Sequence, residues 1–239
     1  MEKVTEAVIL AGGFGSRLRS VVSEVPKPMA QVTGKPFLSF LLDYLASSGV
    51  QRVILSVGYM HEAIRGCFGP SYNSMELSYV VEEKPLGTGG ALKRSLSDAR
   101  TGSILVLNGD SYLRLDASSF AGFHFSNRST VTIAVKKMEE CDRYGTVHLD
   151  GDKVSAFAEK GLTKSGYINA GVYLLDVDRC GLLEVKEDCF SFEKDFLQYR
   201  KGEGSVYAFI CNDYFIDIGI PEDYMRAQKE LSNLKGGDR

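Results

Sequence analysis

The chain has 239 residues, of which 44% are hydrophobic and 25% are charged, so it can bury the core of one large domain or two small ones. Its formal net charge of −3 argues against binding to the phosphate backbone of nucleic acids. Five scattered cysteines without a CxxC pair argue against the common zinc motifs, and the short apolar stretch near the N-terminus lacks the features of a signal peptide, so we predict a soluble, cytoplasmic protein.

The first 130 residues alternate between strand-like and helix-like segments. Short, almost continuously apolar runs are typical of buried strands, whereas apolar residues spaced three or four apart are typical of helices. The predicted strands are Ala7–Leu10, Arg52–Val57, Leu77–Val81 and Ile104–Leu107. The predicted helices between them are Phe37–Ser48, Met60–Phe68 and Gly89–Ser97. This alternation predicts right-handed βαβ units and a largely parallel sheet that is covered on both faces.

After Thr130 the pattern changes to closely spaced strands. The predicted strands here are Val131–Val135, Thr146–Leu149, Val154–Phe157 and Ile168–Leu175. Asp150-Gly151 is typical of a hairpin turn, which indicates antiparallel neighbours, and a final helix begins at Pro221. The stretch FSFEKDF looks like an aromatic-rich helix start whose phenylalanines contact the core or a second subunit. We predict one α/β domain with a Rossmann-like mixed sheet, mostly parallel and flanked by helices, made of a lobe over about 1–130 and a more antiparallel lobe over about 131–239.

The segment LAGGFGSRLR directly follows the first predicted strand, and ligands of open α/β sheets bind at the carboxyl ends of strands. Its glycines let backbone NH groups approach an anion, and Arg17 adds charged donors, so the loop predicts a site for a phosphate chain. The spacing fits neither the dinucleotide fingerprint, whose third glycine position counted from Gly13 is Leu18, nor the Walker P-loop. A glycine turn with a surface arginine would explain this stretch alone equally well.

Three further charged side chains belong to the candidate site. Lys27 lies between two prolines in the stretch VPKPM, and the prolines restrict the backbone on either side of it. Asp110 follows the apolar run of ILVLNGD, and Asp217 follows the apolar run of YFIDIG. Mg²⁺ is commonly held by one or two carboxylates together with substrate phosphates, so this aspartate pair is a candidate metal site. For the NGD stretch by itself, an aspartate that caps a turn is the alternative.

Taken together, these motifs resemble the sugar-1-phosphate nucleotidyltransferase family. The resemblance begins with the glycine-rich loop, Arg17 and the PKP stretch around Lys27, and it covers almost the whole chain. It continues through EEKPLGTGGAL (82–92), LNGDS (107–111), AEKG (158–161), YINAGVY (167–173) and DYFIDIGIPEDY (213–224). Many relatives carry L-x-P-x-T after the arginine, whereas this chain reads Leu18-Arg19-Ser20-Val21-Val22. This form and the stretch PLGTGGA look most like the branch of guanylyltransferases that act on D-glycero-α-D-manno-heptose 1-phosphate.

The resemblance implies a fold and a reaction. The expected fold is the nucleotide-diphospho-sugar transferase fold, in which the first lobe binds the nucleotide and the second lobe binds the sugar phosphate. In the expected reaction an oxygen of a sugar 1-phosphate attacks the α-phosphorus of a nucleoside triphosphate, and pyrophosphate leaves in line. Such a reaction requires a protein mainly to position two polyanions and to neutralise their charge.

The resemblance also implies roles for individual residues. Arg17 and Lys27 are the implied catalytic residues, and Asp110 and Asp217 are the implied ligands of Mg²⁺. The implied nucleotide-binding residues are Leu10, Ala11, Gly12, Gly13, Gly15, Ser16, Arg17, Glu82, Pro85, Gly87, Thr88 and Asn108. The implied sugar-phosphate-binding residues are Gly109, Tyr144, Gly145, Glu159, Lys160, Asn169 and Gly171.

Glu82 is the residue from which we predict the nucleobase of the substrate. A carboxylate only accepts hydrogen bonds, so it suits the adjacent NH and NH₂ donors of guanine, whereas relatives that use uracil or thymine often have an amide at this position. Glu82 therefore favours GTP as the nucleotide, while cytosine and adenine stay open. The resemblance to the heptose branch implies D-glycero-α-D-manno-heptose 1-phosphate as the second substrate, so the expected products are GDP-heptose and pyrophosphate. Two adjacent glutamates that only solvate a strand end are the alternative for Glu82 and Glu83.

Several other functions stay open at this point. The alternatives are transfer from GTP to mannose 1-phosphate, uridylyl or thymidylyl transfer to a hexose 1-phosphate, and a catalytically silent protein that binds a nucleotide sugar and regulates a partner. An NAD-dependent enzyme is disfavoured by the failed dinucleotide spacing. We expect no nucleic-acid or membrane partner, and a homodimer is the assembly that we consider.

Overall fold

The backbone forms a ten-stranded sheet, two small two-stranded sheets and five α-helices in the part of the chain that the structure describes. The structure is a computed structural model and describes residues 3–13, 18, 22, 25–158, 161, 164–200 and 206–233. The strands are β1 Glu6–Leu10, β2 Gln31–Val32, β3 Lys35–Pro36, β4 Arg52–Val57, β5 Ser71–Tyr72, β6 Met75–Val81, β7 Ser103–Asn108, β8 Ser111–Leu113, β9 Val131–Met138, β10 Thr146–Asp150, β11 Lys153–Ala158, β12 Gly166–Asp176, β13 Val206–Ile210 and β14 Phe215–Asp217. The α-helices are α1 Phe37–Ser47, α2 His61–Phe68, α3 Gly87–Leu96, α4 Ala117–Ser126 and α5 Pro221–Asn233. None of these described helices combines the length and the apolar character that crossing a membrane requires.

The centre of the large sheet is the parallel unit predicted from the first 130 residues. Its strands lie in the order β7-β1-β4-β6, and every neighbouring pair among them is parallel. The helices α1, α2 and α3 connect successive strands of this unit, as predicted. The second helix begins at His61 instead of Met60, because the backbone of Met60 has a φ of 56° and is left-handed. The chain thus runs outward from β1 to β6 and then returns to the other side of β1, which creates a topological switch point between β1 and β7.

The strands after Thr130 extend the same sheet with mainly antiparallel pairings. β12 pairs antiparallel with both β7 and β9, and β10 and β11 form the predicted hairpin around Asp150 and Gly151, where Gly151 has a φ of 57°. β13 pairs parallel with β9. The predicted fold class, a mixed sheet flanked by helices, is therefore confirmed. The division into two lobes near residue 130 stays a prediction, since the strands of both regions belong to one sheet.

Both faces of the sheet are buried, as the continuous apolar runs predict. Side chains alternate across a strand, so Ile9 faces the core that contains α1, α2, α4 and α5, whereas Val8 faces the core that contains Leu92 and Leu96 of α3. The second core also contains Phe192 and Phe196 of a short π-helix, Phe192–Phe196. The sheet therefore presents only its edges and strand ends to a ligand.

The helix α4 has a side-chain cap that provides a test of the fold. Asp116 precedes this helix and its Oδ1 accepts a hydrogen bond of 2.9 Å from the backbone N of Ser119. We expect Asp116→Ala to lower the free energy of unfolding by about 1 kcal/mol, the usual cost of losing an N-cap. Urea unfolding followed by circular dichroism measures this change. The control is Glu187→Ala, an exposed position outside any helix or strand, and an equal loss in both variants would contradict the role of the cap.

Candidate functional site

A cavity of about 380 Å³ opens at the carboxyl ends of β1 and β7. It lies at the switch point of the sheet, which is where open α/β sheets bind ligands. The described residues that line it are Leu10, Ala11, Gly12, Gly13, Lys27, Pro28, Glu82, Pro85, Gly87, Thr88, Ala91, Asn108, Gly109, Asp110 and Gly219. Most of the residues predicted to bind the nucleotide thus lie around one cavity.

The floor of the cavity is formed where β1 and β7 end side by side. Leu10 is in register with Asn108, and the backbone N of Gly109 donates to the carbonyl oxygen of Leu10 over 2.9 Å. A Cβ atom on Gly109 would lie 2.7 Å from that carbonyl oxygen, so a larger residue would separate the two strand ends. This close approach brings Asp110 to the same cavity as Ala11, Gly12 and Gly13.

Lys27 lies between the two predicted metal ligands. Its Nζ is 2.6 Å from Oδ2 of Asp110 and 3.7 Å from Oδ1 of Asp217, and its side chain is only 9% exposed. Lys27 begins a short 3-10 helix, Lys27–Met29, directly after Pro26. The two aspartates are brought together by the small β8–β14 sheet, in which Asp217 is in register with Ser111, the residue after Asp110. The structure therefore brings the three charged residues together, as the sequence predicts.

Glu82 connects two walls of the cavity. Its Oε1 accepts a hydrogen bond of 3.2 Å from Oγ of Ser56, and its Oε2 accepts one of 3.3 Å from the backbone N of Leu86. Gly12 packs directly against the carboxylate, because a Cβ atom at Gly12 would lie 2.4 Å from Oε1 of Glu82. A carboxylate has about four lone-pair positions, so two remain for a ligand.

The first turn of α3 packs against a distant segment that sequence reasoning missed. Gly87 has a φ of 69°, and a Cβ atom there would lie 2.4 Å from the carbonyl oxygen of Phe190. A Cβ atom on Gly89 would meet the ring of Phe190 at 2.3 Å, and one on Gly90 would meet the carbonyl oxygen of Asp188 at 2.0 Å. These glycines therefore make room for the segment 188–190, and Gly87 also lines the cavity.

The predicted sugar-phosphate residues that are described come from three places: Gly109 follows β7, Tyr144 and Gly145 precede β10, and Asn169 and Gly171 lie in β12. The backbone N of Asn169 donates to the carbonyl oxygen of Gly145 over 3.5 Å, and the backbone N of Gly171 donates to Oδ1 of Asn169 over 3.0 Å. Gly171 has a φ of 73° and lies against Asn108, whose Nδ2 would be 2.7 Å from a Cβ atom at position 171. Of the predicted sugar-phosphate residues in the described part, only Gly109 lines the cavity itself.

Tyr144 and Asn108 have polar side-chain atoms that can form hydrogen bonds with a ligand. Burial raises the pKa of Tyr144, and the negative charges of Asp217 and Asp223 raise it further, so its phenol stays a neutral donor. Oδ1 of Asn108 is buried and has no hydrogen-bond partner among the described residues. A buried acceptor without a partner is costly unless a ligand or water satisfies it.

Some predicted site residues lie outside the described residues, namely Gly15, Ser16, Arg17, Glu159 and Lys160. Three cavity residues were missed, namely Pro28, Ala91 and Gly219. Pro28 lies inside the PKP stretch and Gly219 lies inside DYFIDIGIPEDY, but sequence reasoning assigned a role only to Lys27 and Asp217 of these stretches. Ala91 required knowing which face of α3 borders the cavity.

Comparison with known proteins gives matches along almost the entire chain. Residues 6–233 match the nucleotidyl transferase family. The D-glycero-α-D-manno-heptose 1-phosphate guanylyltransferase of Aneurinibacillus thermoaerophilus is 46% identical over 230 residues, which cover 95% of this chain and 99% of that protein. A mannose-1-phosphate guanylyltransferase of Mycobacterium tuberculosis is 34% identical over 232 residues, which cover 95% of this chain and 64% of that protein.

A solved structure is similar to this chain in both sequence and fold. The crystal structure of HddC from Yersinia pseudotuberculosis complexed with GMP-PN is 39% identical and superposes with a TM-score of 0.85, over 95% of this chain and 100% of that chain. The chain therefore belongs to the nucleotidyl transferase family, as its glycine loop, lysine and paired aspartates predict.

Proposed function

We propose that this enzyme transfers a guanylyl group from GTP to D-glycero-α-D-manno-heptose 1-phosphate and releases GDP-heptose and pyrophosphate. The observation that carries the proposal is the meeting of Lys27, Asp110 and Glu82 around one cavity in a chain that is nearly half identical to a heptose 1-phosphate guanylyltransferase. The mannose-1-phosphate enzyme has a lower sequence identity to this chain, 34% against 46%, which favours heptose over mannose as the sugar.

The proposed reaction is a displacement at phosphorus. An oxygen of the sugar phosphate forms a bond to the α-phosphorus of GTP, while the bond between that phosphorus and the oxygen bridging to the β-phosphate breaks, and pyrophosphate leaves with the electron pair. The protein supplies orientation and charge for this step rather than a covalent nucleophile. Backbone NH groups near Gly12 and Gly13 face the triphosphate, and the ammonium of Lys27 stabilises the negative charge at the reacting phosphate.

The donor set of the site fits a magnesium ion. Asp110 and Asp217 provide hard carboxylate oxygens, and both approach the same ammonium group, so both face one point where a cation is favoured. We propose that these two residues hold Mg²⁺ together with phosphate oxygens of the substrates. When bound, Mg²⁺ would orient the phosphates and withdraw electron density from them.

We expect Asp110→Asn to weaken activity and the dependence on Mg²⁺ together. Loss of one negative ligand should raise the Mg²⁺ concentration for half-maximal rate about tenfold, which corresponds to roughly 1.4 kcal/mol. Pyrophosphate release measured over a Mg²⁺ titration gives this value. An unchanged midpoint with a lowered maximal rate would show that Asp110 does not hold the ion, and Asp116→Asn is the matched control.

The sugar phosphate would extend from the cavity at Gly109 toward Tyr144, Gly145, Asn169 and Gly171. The neutral phenol of Tyr144 can donate to a phosphate or hydroxyl oxygen, and the glycines leave room for the sugar ring. We assign Glu159 and Lys160 to the same subsite because they belong to the matching family motif. A cytoplasmic location and a homodimeric assembly remain predictions from the sequence.

A matrix of substrates tests the proposed function. Pyrophosphate release is measured for GTP, ATP, CTP, UTP and dTTP against the 1-phosphates of D-glycero-D-manno-heptose, mannose and glucose. We expect the highest kcat/KM for GTP with the heptose phosphate. A preference for UTP, dTTP or mannose 1-phosphate would contradict the proposal, and nucleotide-sugar binding without any pyrophosphate release would indicate a silent regulatory protein.

A further inference from the structure

A row of hydrogen bonds connects the nucleotide side of the cavity with the proposed sugar side. Oγ1 of Thr88, which lines the cavity, donates to Oε2 of Glu193 over 2.9 Å. Oε1 of Glu193 accepts from the hydroxyl of Tyr173 over 2.7 Å, and that hydroxyl in turn accepts from Nδ2 of Asn169 over 2.7 Å. Oδ1 of Asn169 completes the row by accepting from the backbone N of Gly171 over 3.0 Å.

The direction of each hydrogen bond in this row is determined by its neighbours. A carboxylate can only accept, so Tyr173 must direct its proton to Glu193 and can only accept from Asn169. Burial raises the pKa of Tyr173 well above its usual value, and the charge of Glu193 adds to this, so the phenol keeps its proton. The amide of Asn169 consequently has one orientation, with its nitrogen toward Tyr173 and its oxygen toward Gly171.

Asn169 retains hydrogen-bonding capacity in that orientation. Its nitrogen has a second hydrogen and its oxygen has a second lone pair, so the side chain offers one donor and one acceptor to a ligand. This pair is suited to a sugar hydroxyl, which both donates and accepts. The sequence predicts Asn169 as a sugar-phosphate residue but assigns no role to Glu193, which lies in an aromatic stretch interpreted as core.

We propose that Glu193 is a positioning residue, which acts through Tyr173 to hold the amide of Asn169 in the orientation that binds the sugar 1-phosphate. This inference rests on the proposed function, because it assumes that the sugar phosphate contacts Asn169. Glu193 itself is separated from the substrate by Tyr173.

The surroundings of Tyr173 favour positioning over a purely structural role. Tyr173 is fully buried and its ring packs edge-on against Phe192, with 5.3 Å between the ring centroids. Phenylalanine would fill the same space without needing a buried carboxylate as its partner, and apolar replacements of buried polar pairs are often neutral for stability. The hydroxyl of Tyr173 and the carboxylate of Glu193 thus orient the amide of Asn169 more than they stabilise the fold.

The test compares Tyr173→Phe, Glu193→Met and the double variant with the wild type. Tyr173→Phe removes the hydroxyl that joins Glu193 to Asn169 and leaves the hydrogen bond between Glu193 and Thr88 in place. We therefore expect the KM for the sugar 1-phosphate to rise about tenfold, or roughly 1.4 kcal/mol, while the KM for GTP stays close to that of the wild type. Glu193→Met removes the acceptor that fixes the direction of the Tyr173 hydroxyl, together with the hydrogen bonds from Thr88 and Ser191, so its KM for the sugar phosphate should rise by a similar factor. The double variant should be no worse than Glu193→Met, because both changes break one connection.

Asp195→Asn is the matched control, since Asp195 lies in the same π-helix and its Oδ2 accepts from the backbone N of Ser191 over 2.7 Å without contacting Thr88 or Tyr173. A sugar KM that rises equally in Asp195→Asn would show that the segment acts only as structure. An unchanged sugar KM in folded Tyr173→Phe would overturn the inference directly.

Wild-type protein in the substrate matrix keeps the two proposals separate. All variants are measured with the sugar 1-phosphate that the wild type turns over, whichever it is. An active wild type with unaffected variants contradicts the positioning role alone. A wild type that turns over no pair contradicts the proposed function and this inference with it.

Discussion

Replacing Lys27 with alanine should lower kcat about a hundredfold to a thousandfold, the usual cost of removing one preorganised donor from a charged transition state. Lys27 forms ion pairs with both predicted metal ligands, with its Nζ 2.6 Å from Oδ2 of Asp110 and 3.7 Å from Oδ1 of Asp217. Its side chain is almost buried, so its charge acts in a medium that screens it less than water does.

The fold should survive this substitution. Asp110 and Asp217 have side chains that are 41% and 29% exposed, so water can solvate both carboxylates after the ammonium is lost. We therefore expect the circular dichroism spectrum and the binding of Mg²⁺ to remain, while turnover falls.

Single-turnover pyrophosphate release at saturating substrates measures the effect of Lys27→Ala on the chemical step. Lys35→Ala is the matched control, because Lys35 forms an ion pair with Asp43 and also lies over the ring of Phe40, outside the cavity. Near-normal kcat in folded Lys27→Ala would contradict the assigned role. An equal loss in Lys35→Ala would indicate a general effect of losing a lysine and not chemistry at Lys27.

The parallel centre of the fold could be predicted because its sequence signals are local. Each strand of that unit is a short apolar run such as Val53–Leu55, and each connecting helix has apolar residues on one face, such as Leu38, Leu41 and Leu45. The helix α4 was missed for the opposite reason. Its sequence contains three serines and a glycine, and it buries only Phe120, Ala121 and His124, so no strong periodicity marks it.

The candidate site also has features that local sequence signals predict and features that depend on distant contacts. The glycine loop and Asp110 follow strands β1 and β7, and the ends of neighbouring parallel strands meet at one edge of a sheet, so their proximity could be predicted. Asp217 instead ends β14 in the small β8–β14 sheet, and its pairing with Ser111 brings it to the same place. The contact of Phe190 with Gly87 and Gly89 joins positions about a hundred residues apart, which no local pattern reveals. One signal was present, because glycine inside a helix costs about 1 kcal/mol relative to alanine and so indicates close approach by another group.

Glu193 illustrates a second reason why sequence reasoning was incomplete. Its stretch contains three phenylalanines, for which the sequence predicts contact with the core or with a second subunit, and Phe192 and Phe196 lie in the core. The carboxylate between them points to Thr88 and Tyr173, which come from two other parts of the chain. Only the folded arrangement shows that an acidic residue in an apolar stretch has three hydroxyl partners, the third being Ser191.

Replacing Glu82 with glutamine should lower kcat/KM for GTP about a hundredfold, because hydrogen bonds to a charged acceptor contribute roughly 1.5–3 kcal/mol. Glutamine has nearly the same shape, but its amide nitrogen would face the NH donors of guanine. The kcat/KM for UTP should change far less, since uracil presents an acceptor beside its single NH donor. The ratio of the two values, measured by pyrophosphate release, is therefore the informative quantity.

Glu82 also has contacts within the protein, so kcat/KM must be compared between GTP and UTP rather than measured with GTP alone. Because the carboxylate also accepts from Ser56 and from the backbone of Leu86, the substitution can weaken the cavity walls without any contact to the base. A structural effect of that kind would lower the rates with GTP and UTP equally, whereas recognition of guanine lowers the rate with GTP selectively. Glu83→Gln, an adjacent and exposed position that does not line the cavity among its described residues, is the control. An unchanged ratio in Glu82→Gln would refute guanine recognition by this carboxylate and leave Glu82 as a residue that joins Gly12 to the turn before α3.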